Sequence, residues 1–449
     1  MNKMTYRELA KQIFIKGKEK MDDMEVYIER NKQTKIGIFE GEIDTYTIAE
    51  SEGLSLRGIS GNKMGYAYTE KVDPSSIDRL IHDAYENGQY MDGTDKERIF
   101  SSSDPYKTIE EKKCDLNSIC IKDKIQFVKQ LEKEALQWDP RVVAVDGCMY
   151  QEIDSRRYII NTKGLDLEDG NHLAIVYVSV IVKEGEDTKT GMGYRITKEF
   201  ATLDSKEIAK EAVEEALSML GARTIKTGNY PVIFRNDAFA DLVGAYRSIF
   251  YAENVQKGLS LLKGKVGQSI ANNNLTLIDD PFLKEGFISQ AFDDEGIATQ
   301  YRKIIDKGIL QTYLYNGKAA EKDHVPSTGH GHRNSYKSSI STSTTNFYIE
   351  KGKVSFDDLI QGMEHGLLII DLQGLHSGLN TVSGDYSLSA YGYEIENGKI
   401  KRPVNQITIA GNFFDTLKNI EEVGNDLKFN MSLVGSPSIK IKNIAVAGE

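Results

Sequence analysis

His330 and His332 stand one residue apart in the run PSTGHGHRNS, with Arg333 beside them and His324 upstream. Imidazoles at that spacing, in a loop bracketed by Gly329 and Gly331, form the most metal-like cluster of the chain. A zinc site needs three or four donors and further groups to fix the rings, and this spacing supplies two. A loop lining a cleft and an ordinary exposed turn are the competing readings. Asp279-Asp280 and Asp293-Asp294-Glu295 pose a similar choice. Paired carboxylates do acid–base work when burial splits their pKa values, but beside Pro281 and Gly296 they read as turn caps accepting backbone N–H bonds. Cys148, in a strand-like run with no histidine near in sequence, reads as a buried apolar group.

The segment 376–400, HSGLNTVSGDYSLSAYGYEIENGKI, is the richest in special residues. Gly384, Gly392 and Gly398 permit positive φ, and Asn380 and Asp385 suit side-chain-to-backbone bonds. An extended peptide can add as a strand to such a region. A hairpin whose turns need glycine is the equal reading.

These residues must be held by the stretch 236–267, NDAFADLVGAYRSIFYAENVQKGLSLLKGKVG. Asn236 or Asp237 can cap a helix, and Phe239, Leu242, Val243, Tyr246, Ile249 and Phe250 recur along one helical face. The helix is expected to end near Asn254. Around it lie LSMLGARTIKTGNYPVIF (217–234), GLSLLKGKVGQ (258–268), LTLIDDP (275–281), FDDEG (292–296), HSGLN (376–380), SGDYSLSAYGYEIENGKIKRPV (383–404) and TIAGN (408–412). In this order the runs resemble the TldD/PmbA family, whose members are described as proposed modulators of DNA gyrase and as metal-dependent peptidases.

The catalytic branch of that family carries HExxxH on this helix, two zinc-binding histidines and a glutamate that activates water. Anchored on GLSLL, those positions fall here on Val243, Gly244 and Ser248. Valine and glycine offer no donor, and serine is a poor zinc ligand beside imidazole or thiolate. The branch's cysteine ligand lies near the C-terminus, whereas this chain's cysteines are Cys114, Cys120 and Cys148. The chain therefore resembles the PmbA (TldE) branch. That resemblance implies a subunit without zinc or other cofactor of its own, inactive alone, which completes the cleft of a zinc-bearing, HExxxH-containing TldD-type partner acting on unfolded or modified peptides. A subunit that shares an apolar cleft face with a partner tends to pair with itself when alone, so a homodimer is expected in the partner's absence. His330, His332, Arg333, His376, Asn380 and Asp385 are its candidate contacts to an extended peptide. Two rivals stand beside it: a peptidase using His330, His332 and a carboxylate, and a standalone peptide-binding or regulatory protein.

Composition bounds these readings. The chain has 449 residues, 40% of them hydrophobic, enough for two or three domains each with a core. No run approaches the ~18–20 apolar residues of a membrane span. The start, MNKMTYRELAKQIFIKGKEK, has no uninterrupted hydrophobic stretch like a signal peptide's, so a cytoplasmic location is expected. Three cysteines without CxxC fit a reducing compartment. A net charge of −11 without a long Lys/Arg cluster argues against nucleic acid as partner.

The remaining pattern predicts an α+β fold. Residues 5–22, 73–88, 122–138 and the stretch from Ser205 have helical spacing, while 25–70 and 142–200 alternate as antiparallel meanders. The order helix, meander, helix thus occurs twice, as two units side by side (1–110 and 111–222). The polar stretch 89–116 reads as an exposed linker or edge segment. From 223 to 449, strand-like runs in Gly- and Asn-rich loops predict a mainly antiparallel β domain.

Overall fold

The computed structural model describes residues 4–91, 97–103, 105–109 and 113–449. The first unit runs α1 (Tyr6–Gly17), β1 (Asp23–Phe39), β2 (Glu42–Ser60), β3 (Lys63–Thr69) and α2 (Ile77–Gln89). The second runs α3 (Ile121–Trp138), β4 (Val142–Asn161), β5 (Asp166–Glu184), β6 (Asp187–Thr197) and α4 (Ser205–Ser218). Thr5 starts α1 with a reciprocal cap: the Glu8 N–H donates to its Oγ1 at 3.2 Å, and its own N–H donates to the Glu8 carboxylate at 2.8 Å. Asp73 and Asp204 accept backbone N–H bonds ahead of α2 and α4.

The two units share one sheet. β1 pairs antiparallel with β4 from Glu25↔Asn161 to Gly37↔Met149, giving the order β3-β2-β1-β4-β5-β6, symmetrical about that seam. α3 and α4 cover one part of it, where Val128, Leu131, Ile208 and Val213 pack with Tyr150, Val176 and Val178. α1 and α2 cover the other, where Leu9, Ile13, Leu80 and Ile81 meet Val26, Ile28, Leu54 and Leu56. The stretch expected as an exposed linker is pinned down at several points. Ile99 is buried, Asn161 Nδ2 donates to the Phe100 carbonyl at 2.7 Å, and the Tyr106 hydroxyl donates to the Gly296 carbonyl at 2.6 Å. The boundary expected at 110/111 lies outside the described residues.

The C-terminal region continues with β7 (Gly228–Phe234), α5 (Asn236–Tyr246), α6 (Ala252–Gln256), β8 (Leu277–Asp279), β9 (Arg302–Asp306), β10 (Ile309–Leu310) and α7 (Gly317–Asp323). Next come β11 (Gly331–His332), β12 (Ser341–Thr342), β13 (Phe347–Ile349), α8 (Phe356–Gln361), β14 (His365–Gln373), β15 (Asp385–Glu396) and β16 (Lys399–Asn412). The chain ends with α9 (Phe413–Lys418), β17 (Ile420–Val423), β18 (Lys428–Phe429), β19 (Val434–Ser436) and β20 (Ile439–Ala447). Strands β7, β14, β15, β16 and β20 close into a barrel, because β20 pairs with both β7 and β16. A second sheet runs β10-β9-β8-β13-β19-β18.

The expectation of a mainly antiparallel domain holds for most strand pairs of this region, but the sheets are mixed. β7 and β14 pair in parallel, as do β13 and β19. Alternating polarity reports which face of a strand is buried and carries no information on its neighbour's direction. Parallel partners need only a long crossover, and residues 235–364, which hold α5 and most of the second sheet, provide one between β7 and β14. Among the described residues, no helix is long and apolar enough to cross a membrane.

Candidate functional site

α5 leaves the end of β7 into the core between barrel and second sheet. Phe239, Leu242, Val243, Tyr246, Ile249 and Phe250 are all at most 1% exposed, in the predicted helical order. The helix ends earlier than its apolar period suggests: Arg247–Phe250 tightens into a 3₁₀ turn before α6. Its start is held from outside. The Arg235 guanidinium donates to Asp237 at 2.7 and 2.8 Å, to Glu215 of α4 at 2.5 Å and to the Ile370 carbonyl at 3.1 Å. One turn on, burial first, and then the charges of Asp237 and Asp371, push Asp241 up to about 6.

The positions where zinc ligands would be expected do not fit a metal. Val243 is buried among apolar side chains. A Cβ on Gly244 would lie 3.2 Å from Val434 Cγ2, a tight contact. Ser248 is half-buried, and its carbonyl accepts from Asn254 Nδ2 at 2.9 Å. Among the described residues, no group of three or more His, Cys, Asp or Glu side chains is arranged to hold a metal ion.

At its other end α5 is tied to the loop that carries three sequence candidates. The Tyr246 ring stacks on Phe413 with centroids 4.3 Å apart, and its hydroxyl donates to the carbonyls of Asp385 at 2.8 Å and Gly384 at 3.1 Å. Asn380 folds the loop on itself, its Oδ1 accepting from the backbone of Val382 at 2.9 Å and Ser383 at 3.2 Å. The Asp385 carboxylate accepts from Asn412 Nδ2 at 2.9 Å and Ser383 Oγ at 2.8 Å, and these bonds, Asn412 first, hold its pKa down. His376, Asn380 and Asp385 are exposed. The corner is a fixed loop with open polar side chains beside a strand.

His330, His332 and Arg333 lie elsewhere, at the junction with the N-terminal sheet. Both ring nitrogens of His330 are occupied: Nε2 is 3.0 Å from Asp279 Oδ2 and Nδ1 is 2.8 Å from Thr328 Oγ1, with the side chain 2% exposed. His332 Nδ1 is 3.3 Å from Asp294 Oδ2, and its ring is half open to solvent. The Arg333 guanidinium is fully buried. It donates to Glu25 Oε1 at 2.7 Å and Ser55 Oγ at 3.2 Å, and lies 4.6 Å from the Tyr27 ring centroid. Arg57 donates to the same Glu25 oxygen at 3.0 Å.

The acidic run supplies the other side of this junction. Asp293 accepts the N–H groups of Glu295, Ile297 and Gly331, and Asp294 accepts that of Arg333 while pairing with Arg157. Burial alone would raise the Asp294 pKa, but the charges of Arg157 and His332 hold it below the usual range. Burial, reinforced by Glu295, pushes Asp293 well above it. Asp293 is therefore a turn cap, as the flanking Gly296 suggested, and Asp294 an ion-pair partner. Glu25, Arg57 and Arg157 are missed by motif reading, because each is one polar residue within a strand. Glu25 lies directly opposite Arg57 in the β1–β2 register and Glu29 opposite Arg157 in the β1–β4 register, and those cross-strand charge pairs are the signal that could have found them.

The chain matches the PmbA/TldA metallopeptidase domain 1 over residues 24–88, the central domain over 114–220 and the C-terminal domain over 227–448. It is 27% identical to the metalloprotease PmbA of Escherichia coli O157:H7, across 96% of this chain and 93% of that protein. It is 28% identical to a metalloprotease TldD homolog of Buchnera aphidicola subsp. Acyrthosiphon pisum, across 88% and 86%. A crystal structure from Thermotoga maritima MSB8, of a protein named as a proposed modulator of a DNA gyrase, superposes with a TM-score of 0.91. It is 31% identical and spans 99% of this chain and 100% of that one. TldE from Thermococcus kodakarensis shares the fold, with a TM-score of 0.88 at 24% identity over 98% and 100% of the two chains.

Proposed function

The chain belongs to the PmbA/TldD metallopeptidase family, and from that membership we propose that it is a non-catalytic subunit that completes the peptide cleft of a zinc-bearing TldD-type partner. The observation that carries this reading is the surroundings of residues 243 and 244. The first is a valine inside the apolar core, and the second a glycine packed against Val434. Neither offers a donor or a base, so hydrolysis has to draw its metal and its activated water from another chain. The rival ligand set built on His330 loses support because both its ring nitrogens are engaged by Thr328 and Asp279.

In this reading the exposed loop of His376, Asn380 and Asp385, at the start of β15, faces an extended peptide, and the assembly works in the cytoplasm. Leu259, Leu261 and Val266, at 45%, 54% and 47% exposure, follow α6 closely and suit a shared apolar face. Obligate interfaces of this kind bury ~2,000 Å² or more, and a lone chain with such a face tends to pair with itself. The test is solution mass of the chain alone and mixed with an HExxxH-bearing partner, followed by a peptide-cleavage assay of each species. The expected result is a homodimer alone, a heterodimer on mixing, and chelator-sensitive cleavage that needs the partner. A strict monomer that neither binds nor activates the partner refutes the proposal.

A further inference from the structure

Away from both regions, three side chains of the second unit line up in a way the peptide reading does not use. Cys114 Sγ is 3.5 Å from His172 Nδ1, and His172 Nε2 is 2.9 Å from Glu152 Oε1. Glu152 lies on β4 and His172 on the neighbouring strand β5, while Cys114 stands just ahead of the turn leading into α3. Glu152 is anchored in turn by Lys124 Nζ and by the Tyr150 hydroxyl at 2.6 Å. Burial alone would raise its pKa, but the bonds from His172, Lys124 and Tyr150 hold it down to about 2, so it is an anion at neutral pH. An anion on Nε2 favours the tautomer with its proton there and leaves Nδ1 free to accept from the thiol.

Cys114 is exposed and opens onto a cavity of about 830 Å³ whose lining includes Asn117, Arg156, Asn171 and Lys198. Lys113, paired with Glu199 at 3.3 Å, and Lys198 line both this cavity and the groove next to it. Of the facing carboxylates, Asp154 and Asp169, the second is already paired with Arg157 at 3.1 Å. Lys198 Nζ donates to Asn171 Oδ1 at 2.6 Å, within electrostatic reach of Cys114.

We propose that Cys114, His172 and Glu152 form a thiol-activating relay whose ligand is a small anionic disulfide, captured as a mixed disulfide on Cys114. His172 Nδ1 takes the Cys114 proton, and the thiolate attacks one sulfur of the disulfide. The Sγ–S bond forms as the S–S bond breaks, the electron pair passes to the departing sulfur, and that sulfur takes the proton from His172. The disulfide is itself the oxidant, so nothing else is consumed. Such exchange needs a thiolate and a group to return the proton, which this relay supplies. Acyl transfer would also need donors aimed at an oxyanion. Glu152 is a positioning residue that fixes the imidazole.

The test uses the full chain at pH 7, with iodoacetamide alkylation followed cysteine by cysteine by mass spectrometry. Cys120, also exposed and at the N-cap of α3, is a demanding internal standard, since a helix N-terminus itself activates a thiol. Cys114 is expected to react at least about tenfold faster than Cys120. His172→Ala should bring the two rates together. Glu152→Gln should lower the ratio and Glu152→Asp restore part of it, while the Cys120 rate stays constant. Equal rates in the unaltered chain overturn the proposal without recourse to a variant. Oxidised glutathione, an anionic disulfide, should modify Cys114 faster than cationic cystamine; the reverse order overturns the ligand class.

Discussion

Arg333 Nη2 stands 2.7 Å from Glu25 Oε1, and neither side chain has any exposed surface. With the bond from the Tyr336 N–H to Glu29 Oε2 at 2.8 Å, it joins the loop after β11 to the first strand of the chain. Arg57 approaches the same oxygen at 3.0 Å, while Glu25 Oε2 and Arg333 Nε have no partner among the described residues. Buried charges held with little to spare make a junction that tolerates no loss on either side.

Arg333→Leu is therefore expected to destabilise the chain by about 3 kcal/mol, since removing one partner of a buried pair leaves the other uncompensated. His332→Ala, which removes only a half-exposed ring, should cost under about 1 kcal/mol. Urea denaturation of both variants measures this. Equal, small losses would mean that Glu25 is adequately held by Arg57 alone.

Asp241 makes stability depend on pH with a defined sign. Its folded pKa, about 6, lies above the ordinary carboxylate value of 3.8, so between those limits the folded chain holds the proton more tightly. The contribution is fully present below about pH 4 and is lost as pH rises through 6. Asp241→Asn keeps an oxygen for Asn430 Nδ2, which donates to Asp241 Oδ1 at 2.6 Å. The variant should be more stable than the parent by about 1–2 kcal/mol at pH 8 and no more stable at pH 4. A gain of equal size at both values would show that charge is not the cause.

Restoring the family's motif should not create a metal site. Val243→His places a polar ring in an apolar core, and Gly244→Glu drives a side chain toward Val434 at a position where even a Cβ is tight. With Ser248→His added, the triple variant is expected to lose about 3 kcal/mol or more and to retain no stoichiometric zinc after dialysis against a mild chelator. The parent chain should also carry none. Elemental analysis beside denaturation curves checks both, and one tightly held zinc per chain in either protein contradicts the expectation.

Tyr246 is the support of the peptide-facing loop. Tyr246→Phe keeps the stack on Phe413 but leaves the Asp385 and Gly384 carbonyls without that donor. A loss of about 1 kcal/mol is expected, together with faster protease nicking between residues 374 and 385. In the mixed assembly, Asn380→Ala and His376→Ala should slow turnover of extended peptides without preventing dimerisation. Unchanged turnover in both would remove this loop from the cleft.

Much of this was legible in the sequence because local periods follow directly from burial of one face. The spacing of Leu242, Val243, Tyr246 and Ile249 fixes a buried helix, helical spacing over residues 5–22 places another at the N-terminus, and alternation marks β1 to β6. The runs from 217 to 412 carried the family, and Val243, Gly244 and Ser248 carried the absence of its zinc motif. A period, however, says that a face is covered and not by what. The parallel pairing of β7 with β14, the closure of β20 onto β16 and the sharing of one sheet by two units are all long-range choices. Charges behave in the same way. Arg333 reads as a loop residue until Glu25, 308 positions earlier, neutralises it in the interior, and Cys114 reads as an isolated thiol until β5 brings His172 beside it. A side chain's chemistry depends on the dielectric and the partners around it. Those are set by residues far away in the chain, so only the tertiary structure could decide them.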